Sequence, residues 1–392
     1  MEPTSRQTYL DWLRLLSIAG VLVLHCAMPF ASGETWHIRN AESSNLLAEL
    51  VLNLHLFRMP LLFFISGTVS YYMLQRRSSA DFVWLRVRRL LLPLVFGMLV
   101  VVPPQLYLER LTQGFTGNFW QFYPRIFSTG AYPHGNLSWH HLWFIAYLFL
   151  YDVLFAPVFA WLAAPGSQAV RARLGALAPG YRVYGLAVPG LLWYAATARA
   201  LPQTNDLLHD GGYFGYWLLF VLAGFACVAQ PALLDSLERL RRSSLTVGFL
   251  TLLFFNYLRW NHLDLGPTPP FLTPLAAWSL VFAAVGYGKR YLQQPHPALA
   301  YLNQAAYPFY ILHQTVIVVL AYYVVQVEHE SILGKYLFLV IVTLLVSLGI
   351  FHLLIRPVPL LRVFFGMKPL PAAAPAPQPE PPVPVTPALR AA

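Results

Sequence analysis

The chain is 392 residues long, 57 % hydrophobic and only 11 % charged, where a soluble domain carries about 25 % charged residues. With long apolar stretches recurring from end to end, this excludes a soluble globular protein and predicts an all-α, polytopic membrane helix bundle. The net charge of +10 does not point to nucleic acid, because the basic residues fall between apolar segments rather than on one soluble face.

A helix needs about 20 apolar residues to cross a bilayer. Ten segments qualify, at about 10–31, 53–74, 87–107, 139–162, 183–199, 212–230, 245–260, 270–288, 300–326 and 335–356. The first reads "YLDWLRLLSIAGVLVLHCAMPF". It is a mature span rather than a signal peptide, since Asp11 and Arg14 interrupt it and no small-x-small cleavage site follows. Asp11 and Arg14 stand at i, i+3 and share a face. His25 lies eleven residues beyond Arg14, about 16 Å along the axis and close to three full turns, so it falls on that same face. An ionisable group inside the membrane costs at least a few kcal/mol and faces a polar interior or cavity. On the residues alone, His25 also reads as a core histidine bonded to a carbonyl.

Outside this span, "GETWHIRN" holds Glu34 and His37 in a short polar cluster. The second span contains "FRMPLLFFISG", where Arg58 needs a carboxylate or a polar cavity because its guanidinium does not deprotonate. In the loop "RRSSADFVWLRVRRLLLP", Arg86 and Arg89 stand at i, i+3 at the mouth of the third span, a fork that suits phosphate. The ordinary excess of basic residues on cytoplasmic loops accounts for them equally well. Residues 108–138 are rich in Gly and aromatics and read either as interfacial anchors or as a lid for a sugar. The fourth span opens with "SWHHLWFIAYLFLYD", setting His140, His141 and Trp143 at the outer interface. The ninth contains "YPFYILHQT", with Tyr310 and His313 at i, i+3 near mid-membrane. Residues 1–368 form the membrane domain, and 369–392 a Pro-rich, disordered cytoplasmic tail. Cys26 and Cys227 both lie in apolar segments, with no CxxC and no metal-ligand spacing.

With both termini cytoplasmic, one side of the membrane carries 19 of the 26 lysines and arginines, leaving Arg39, Arg58, Arg110, Arg125, Arg199, Arg259 and Lys335 opposite. Two deep histidines, a basic inner mouth and a His/aromatic outer rim suit a reaction between a charged cytoplasmic donor and a polar acceptor from outside. The competing class is a proton-coupled transporter or exporter with His25 and His313 in its pathway. A scaffold with merely buried histidines is the third.

Five pieces, "YLDWLRLLSIAGVLVLH", "FRMPLLFFISG", "LRVRRLLLP", "HLWFIAYL" and "YPFYILH", spread in order over residues 9–314. Through them the chain resembles the acyltransferase-3 family of membrane O-acyltransferases, including its Arg-ten-residues-His and Arg-x-x-Arg signatures. "WHIRN" and "VVPPQLYLER" are similar to the branch named for the periplasmic-glucan biosynthesis protein C. The resemblance implies a multi-pass enzyme of the bacterial inner (cytoplasmic) membrane. It would move an acetyl or succinyl group from acetyl-CoA or succinyl-CoA to a hydroxyl of an extracytoplasmic polysaccharide or glucan. It assigns catalysis to His25 with Asp11, Arg14 and His313. Arg14, Arg86 and Arg89 would hold the CoA phosphates, and Glu34, His37, Arg58, His141, Trp143 and Tyr310 would line the acceptor side. His25 acts as general base or takes the acyl group itself; both routes stay open. No permanently bound cofactor or metal is expected. Lipid is the surrounding partner, and the apolar surface is compatible with a homodimer.

Overall fold

The computed structural model describes residues 7–263 and 271–369. These are all-helical apart from isolated bridges at Ala31–Ser44 and Ala131–Leu137. The tail expected over 369–392 lies, from residue 370 on, outside the described residues. In chain order the helices that matter for the site are α1 (Thr8–Ala27), α2 (Asn45–Leu74) and α3 (Ser79–Thr112). Then come α4 (Trp143–Leu154), α5 (Ala156–Ala163), α6 (Val188–Thr197), α7 (Gly211–Ala229) and α8 (Pro231–Arg239). The last four are α9 (Arg241–Trp260), α10 (Leu272–Tyr291), α11 (Pro297–Val324) and α12 (Ile332–Ile350).

Among the described residues six stretches are long and apolar enough to cross a membrane: Thr8–Phe30, Asn45–Leu74, Ser79–Thr112, Gly211–Ala229, Pro297–Val324 and Ile332–Ile355. A seventh arises if His140–Leu154 and Ala156–Ala163, bent by 63°, count as one. The bend falls just before Pro157, which has no N–H to continue the ladder. The expected span at 183–199 is instead a tight 3-10 stretch, Gly180–Leu186, followed by the 10-residue α6. Those at 245–260 and 270–288 fall in α9 and α10, each 20 residues long. Arg241, Arg242 and Arg259 in one, and the Tyr-Gly-Lys-Arg end of the other, dilute their apolar character.

Local chemistry sets the helix ends. Ser44 Oγ accepts from Leu47 N–H, Ser78 Oγ from Asp81 N–H and Ser331 Oγ from Gly334 N–H, each satisfying an otherwise orphan donor of a first turn. Within α3 the ladder widens to π geometry at Val87–Leu91 and again at Gly97–Val101. Such turns insert an extra residue per turn and rotate everything beyond them.

The core is built by close helix crossings. A Cβ at Gly67 of α2 would sit 1.9 Å from the Val221 carbonyl oxygen of α7, and one at Gly224 of α7 would sit 1.9 Å from the Phe64 carbonyl oxygen. The two backbones therefore touch, as small residues permit in membrane bundles. No side-chain rotation relieves a clash with backbone, so Gly224→Ala should destabilise by about 3 kcal/mol or more, at the upper end of overpacking. Gly20→Ala, with nothing within 4 Å of the new methyl, should be neutral. Thermal unfolding in detergent checks the pair; equal midpoints for both variants would contradict the crossing.

Candidate active site

α1 and α11 run side by side and bring His25 and His313 together. His313 Nδ1 lies 2.6 Å from the Tyr310 carbonyl oxygen, one turn back on its own helix. Only a protonated nitrogen makes that contact, so Nδ1 carries the proton and Nε2 is an acceptor. His25 Nδ1 lies 2.9 Å from that Nε2 and therefore donates to it. The two rings are nearly parallel, 7° apart, with centroids separated by 5.1 Å. His25 Nε2 takes no part in that bond, and His25 forms part of the wall of a cavity. His141 stands edge-on to His313, centroids 5.1 Å apart, and donates Nε2–H to the Ile311 carbonyl oxygen at 3.0 Å. The Tyr310 hydroxyl donates to the His141 carbonyl oxygen, tying the turn before α4 to α11.

The cavity has a volume of about 720 Å³ and opens at the C-terminal end of α1. Glu34, His37, Arg58, His141 and Trp143 all line it together with His25, so the structure gathers half of the site residues expected from sequence around one cavity. Arg58 is buried, with an Nε that has no hydrogen-bond partner among the described residues. His37 donates Nδ1–H to the Glu109 carboxylate and accepts at Nε2 from the Gln314 amide at 3.2 Å. The same amide donates to Gln105 Oε1 at 3.1 Å, Gln105 to Thr315 Oγ1 at 2.6 Å, and Thr315 to the Val101 carbonyl oxygen at 2.7 Å. Burial first, and then the neighbouring Glu109, push the Tyr132 phenol on the rim up to about 12.

At the opposite end of the bundle a second cavity, of about 910 Å³, is lined by Arg89, Asn303, Gln304, Tyr307, Arg356, Arg362 and Lys368, among others. Arg14 reaches its edge, donating to Asn303 Oδ1 at 2.6 Å and to Asp11 at 3.3 Å.

Arg89 lines the inner cavity, and Arg86 is not among its lining residues. Both lie on the segment of α3 where the π-turn at Val87–Leu91 begins. Arg86 is buried, its Nε 2.8 Å from Asp152 Oδ2, and it donates to Ser70 Oγ at 2.9 Å. Ser70 in turn donates to Asp152 Oδ1 at 2.8 Å. Sequence reasoning did not single out Asp152, Glu109, Gln105 or Gln314. Asp152 and Glu109 had a signal, each being a carboxylate within or at the end of an apolar stretch and so requiring a partner.

The chain is 24 % identical to the glucans biosynthesis protein C of Salmonella paratyphi A (strain ATCC 9150 / SARB42), over 94 % of this chain and 96 % of that protein. The proteins of the same name from Salmonella typhi and Salmonella typhimurium (strain LT2) stand at the same identity and coverage. No solved structure matches. The acyltransferase-3 family, described as an acyltransferase domain, matches residues 7–352. This chain, an acyltransferase with several apolar helices fit to cross a membrane, belongs to the acyltransferase-3 family.

Proposed function

We propose that this protein is a membrane O-acyltransferase that moves an acyl group from cytoplasmic acyl-CoA to a hydroxyl of an extracytoplasmic glucan. The names of the Salmonella relatives support glucan as the acceptor class. The observation that carries the reading is the hydrogen-bond chain from His25 through His313 to the Tyr310 carbonyl, which engages His25 Nδ1 and leaves Nε2 for chemistry on a residue that lines a cavity.

The six apolar helices, the bent pair, residues 180–197, α9 and α10 together make ten passes. An even number returns both termini to one side, and the distribution of basic residues makes that side cytoplasmic. Arg14, Arg89, Arg356 and Lys368 then face the cytosol around the inner cavity and bind the CoA phosphates by charge-assisted bonds. Arg86 acts as a positioning residue, anchoring the π-turn that aims Arg89. Residues 1–368 are the catalytic unit, seated in the bacterial cytoplasmic membrane where cytosolic acyl-CoA is available. Acetyl-CoA and succinyl-CoA are the donors the sequence resemblance favours, with no permanently bound organic cofactor.

In the transfer step His25 Nε2 takes the proton of the acceptor hydroxyl as its oxygen attacks the thioester carbonyl. A C–O bond forms, and the tetrahedral oxyanion is met by the buried Arg58 guanidinium. The C–S bond then breaks, and the thiolate leaves with the proton returned from His25. The His25–His313 bond keeps Nε2, not Nδ1, facing the reaction throughout. Asp11 holds Arg14, while Glu34, His37 and Trp143 bind the sugar, the indole face suiting a pyranose ring.

His25→Ala should cut thiol release from acyl-CoA in the presence of glucan by about 10²-fold or more, the usual scale for a general base, with a normal elution profile. Turnover within about twofold of wild type would sink the reading. Glucan passage across vesicles without thiol release would instead support transport. Arg58→Met should lower kcat by about 10² with CoA affinity unchanged, as for loss of an oxyanion donor; a rise in KM alone would rule that role out. Arg89→Gln should weaken CoA binding about tenfold at constant thermal midpoint. Arg86→Gln, which strips Asp152 of its partner, should lower stability by about 3–5 kcal/mol. A stable Arg86→Gln protein with weakened CoA binding would reverse the division of labour between these arginines.

A further inference from the structure

Three side chains from separate segments meet beside the outer cavity, two of them, His37 and His140, on its wall. His37 follows α1, Glu109 lies near the end of α3, and His140 sits just before α4. One nitrogen from each histidine and one carboxylate oxygen lie within 4.8 Å of one another. We propose that they form a site for a divalent transition-metal ion of the zinc class, with an open coordination position toward the cavity.

The donor set fits. Two imidazoles and one carboxylate are a known three-ligand arrangement for zinc that leaves a fourth position for water or substrate. With metal–donor distances near 2.0–2.1 Å, tetrahedral ligands stand about 3.4 Å apart. Closing from the observed separations asks for movements on the order of 1 Å.

A second observation points the same way. His140 Nε2 is buried and has no hydrogen-bond partner among the described residues. Its other nitrogen is occupied, 3.1 Å from Ser138 Oγ. The His140 backbone has φ +42°, a left-handed conformation uncommon outside glycine and found disproportionately at ligand clamps. The chain thus accepts backbone strain in order to turn this ring inward, onto a nitrogen that the protein leaves unused. A bound cation would use it.

The surroundings supply the outer partners such sites normally have. Glu109 Oε1 is 3.4 Å from the Gln113 amide nitrogen and 3.8 Å from Arg110, which orients the carboxylate. Arg110 also donates to the Pro133 and Gly135 carbonyl oxygens and to Asn136, so it fixes the segment leading to His140. With His37 Nδ1 on the ion, Nε2 becomes a donor. Gln314 and Gln105 meet it by turning their amides over, which reverses the direction of the Gln314–Gln105–Thr315 chain without moving it.

The test uses the full chain in detergent, treated with a chelator, desalted, and titrated with Zn²⁺ alone by calorimetry, with the bound metal counted by mass spectrometry. The expected result is one Zn²⁺ per chain and a thermal midpoint that rises with Zn²⁺. His140→Ala, Glu109→Gln and the closer-sized His140→Asn should each weaken binding about 10–100-fold. His209→Ala, which removes the exposed Asp206–His209 pair, should leave it unchanged. Absence of a stoichiometric ion on the wild-type chain overturns the proposal and leaves His37–Glu109 as a plain hydrogen bond. So does wild-type affinity in both His140 variants, or loss of binding in His209→Ala. None of these readouts uses acyl transfer, so the site stands or falls separately from the proposed reaction.

Discussion

An imidazole placed among apolar helices must have both nitrogens accounted for, and the rest of this structure is organised around how that is done for His25. Its Nδ1 proton goes to His313. The acceptor state of His313 is fixed by a carbonyl three residues back on its own helix, so helix geometry alone selects the tautomer. No carboxylate is needed and no charge is buried. The arrangement requires α1 and α11 to keep their axial register, and the same two helices are joined again by Arg14 and Asn303 at the other end. Arg14 and His25 are about 16 Å apart along α1, so two polar contacts set the register of one helix against the other.

Charged groups elsewhere divide by whether the protein itself neutralises them. Arg86 and Asp152 are buried together and share Ser70, linking α2, α3 and α4. Such a pair contributes little net stability but makes the loss of either partner costly. It therefore fixes where α3 sits relative to its neighbours. Arg58 is buried without such a carboxylate among the described residues, and it lines the cavity. A cation left uncompensated in low dielectric interacts strongly with any negative charge that develops nearby. The same desolvation that makes it expensive makes it useful to an oxyanion.

The helical class was legible in the sequence, and so were several of the residues that the structure gathers around one cavity, because an ionisable residue within an apolar run is conspicuous. His25, Arg58, His313 and the "WHH" turn announced themselves in this way, and the spacing from Arg14 to His25 held because α1 is regular. The internal pairing of Arg86 was not legible. Its partner Asp152 lies in a distant segment, and nothing in "LRVRRLLLP" marks the extra residue of a π-turn. The shape of the shorter apolar segments was hidden for a similar reason. A run such as 183–199 is apolar enough in composition, but its Gly and Pro residues divide it into a 3-10 stretch and a short helix. The Glu109–His37–Gln314 chain was hidden because its members come from segments far apart in sequence, and no local pattern joins them.

α11 gives the two cavities a common wall. Asn303, Tyr307, Tyr310 and Gln314 follow one another at intervals of four, three and four residues, which places them on a single face. Asn303 and Tyr307 belong to the inner cavity and Gln314 to the outer one. Tyr310 lies between them, its hydroxyl spent on the His141 carbonyl. From Asn303 to Gln314 is about 16 Å of helix. A thin arm could follow that face, whereas a bulky head group bound among arginines could not. The proposed reaction therefore asks the charged head of the donor to stay with the basic residues at one end of α11 and the acceptor to stay with the histidines and Trp143 at the other, so that only the acyl-bearing arm has to reach His25.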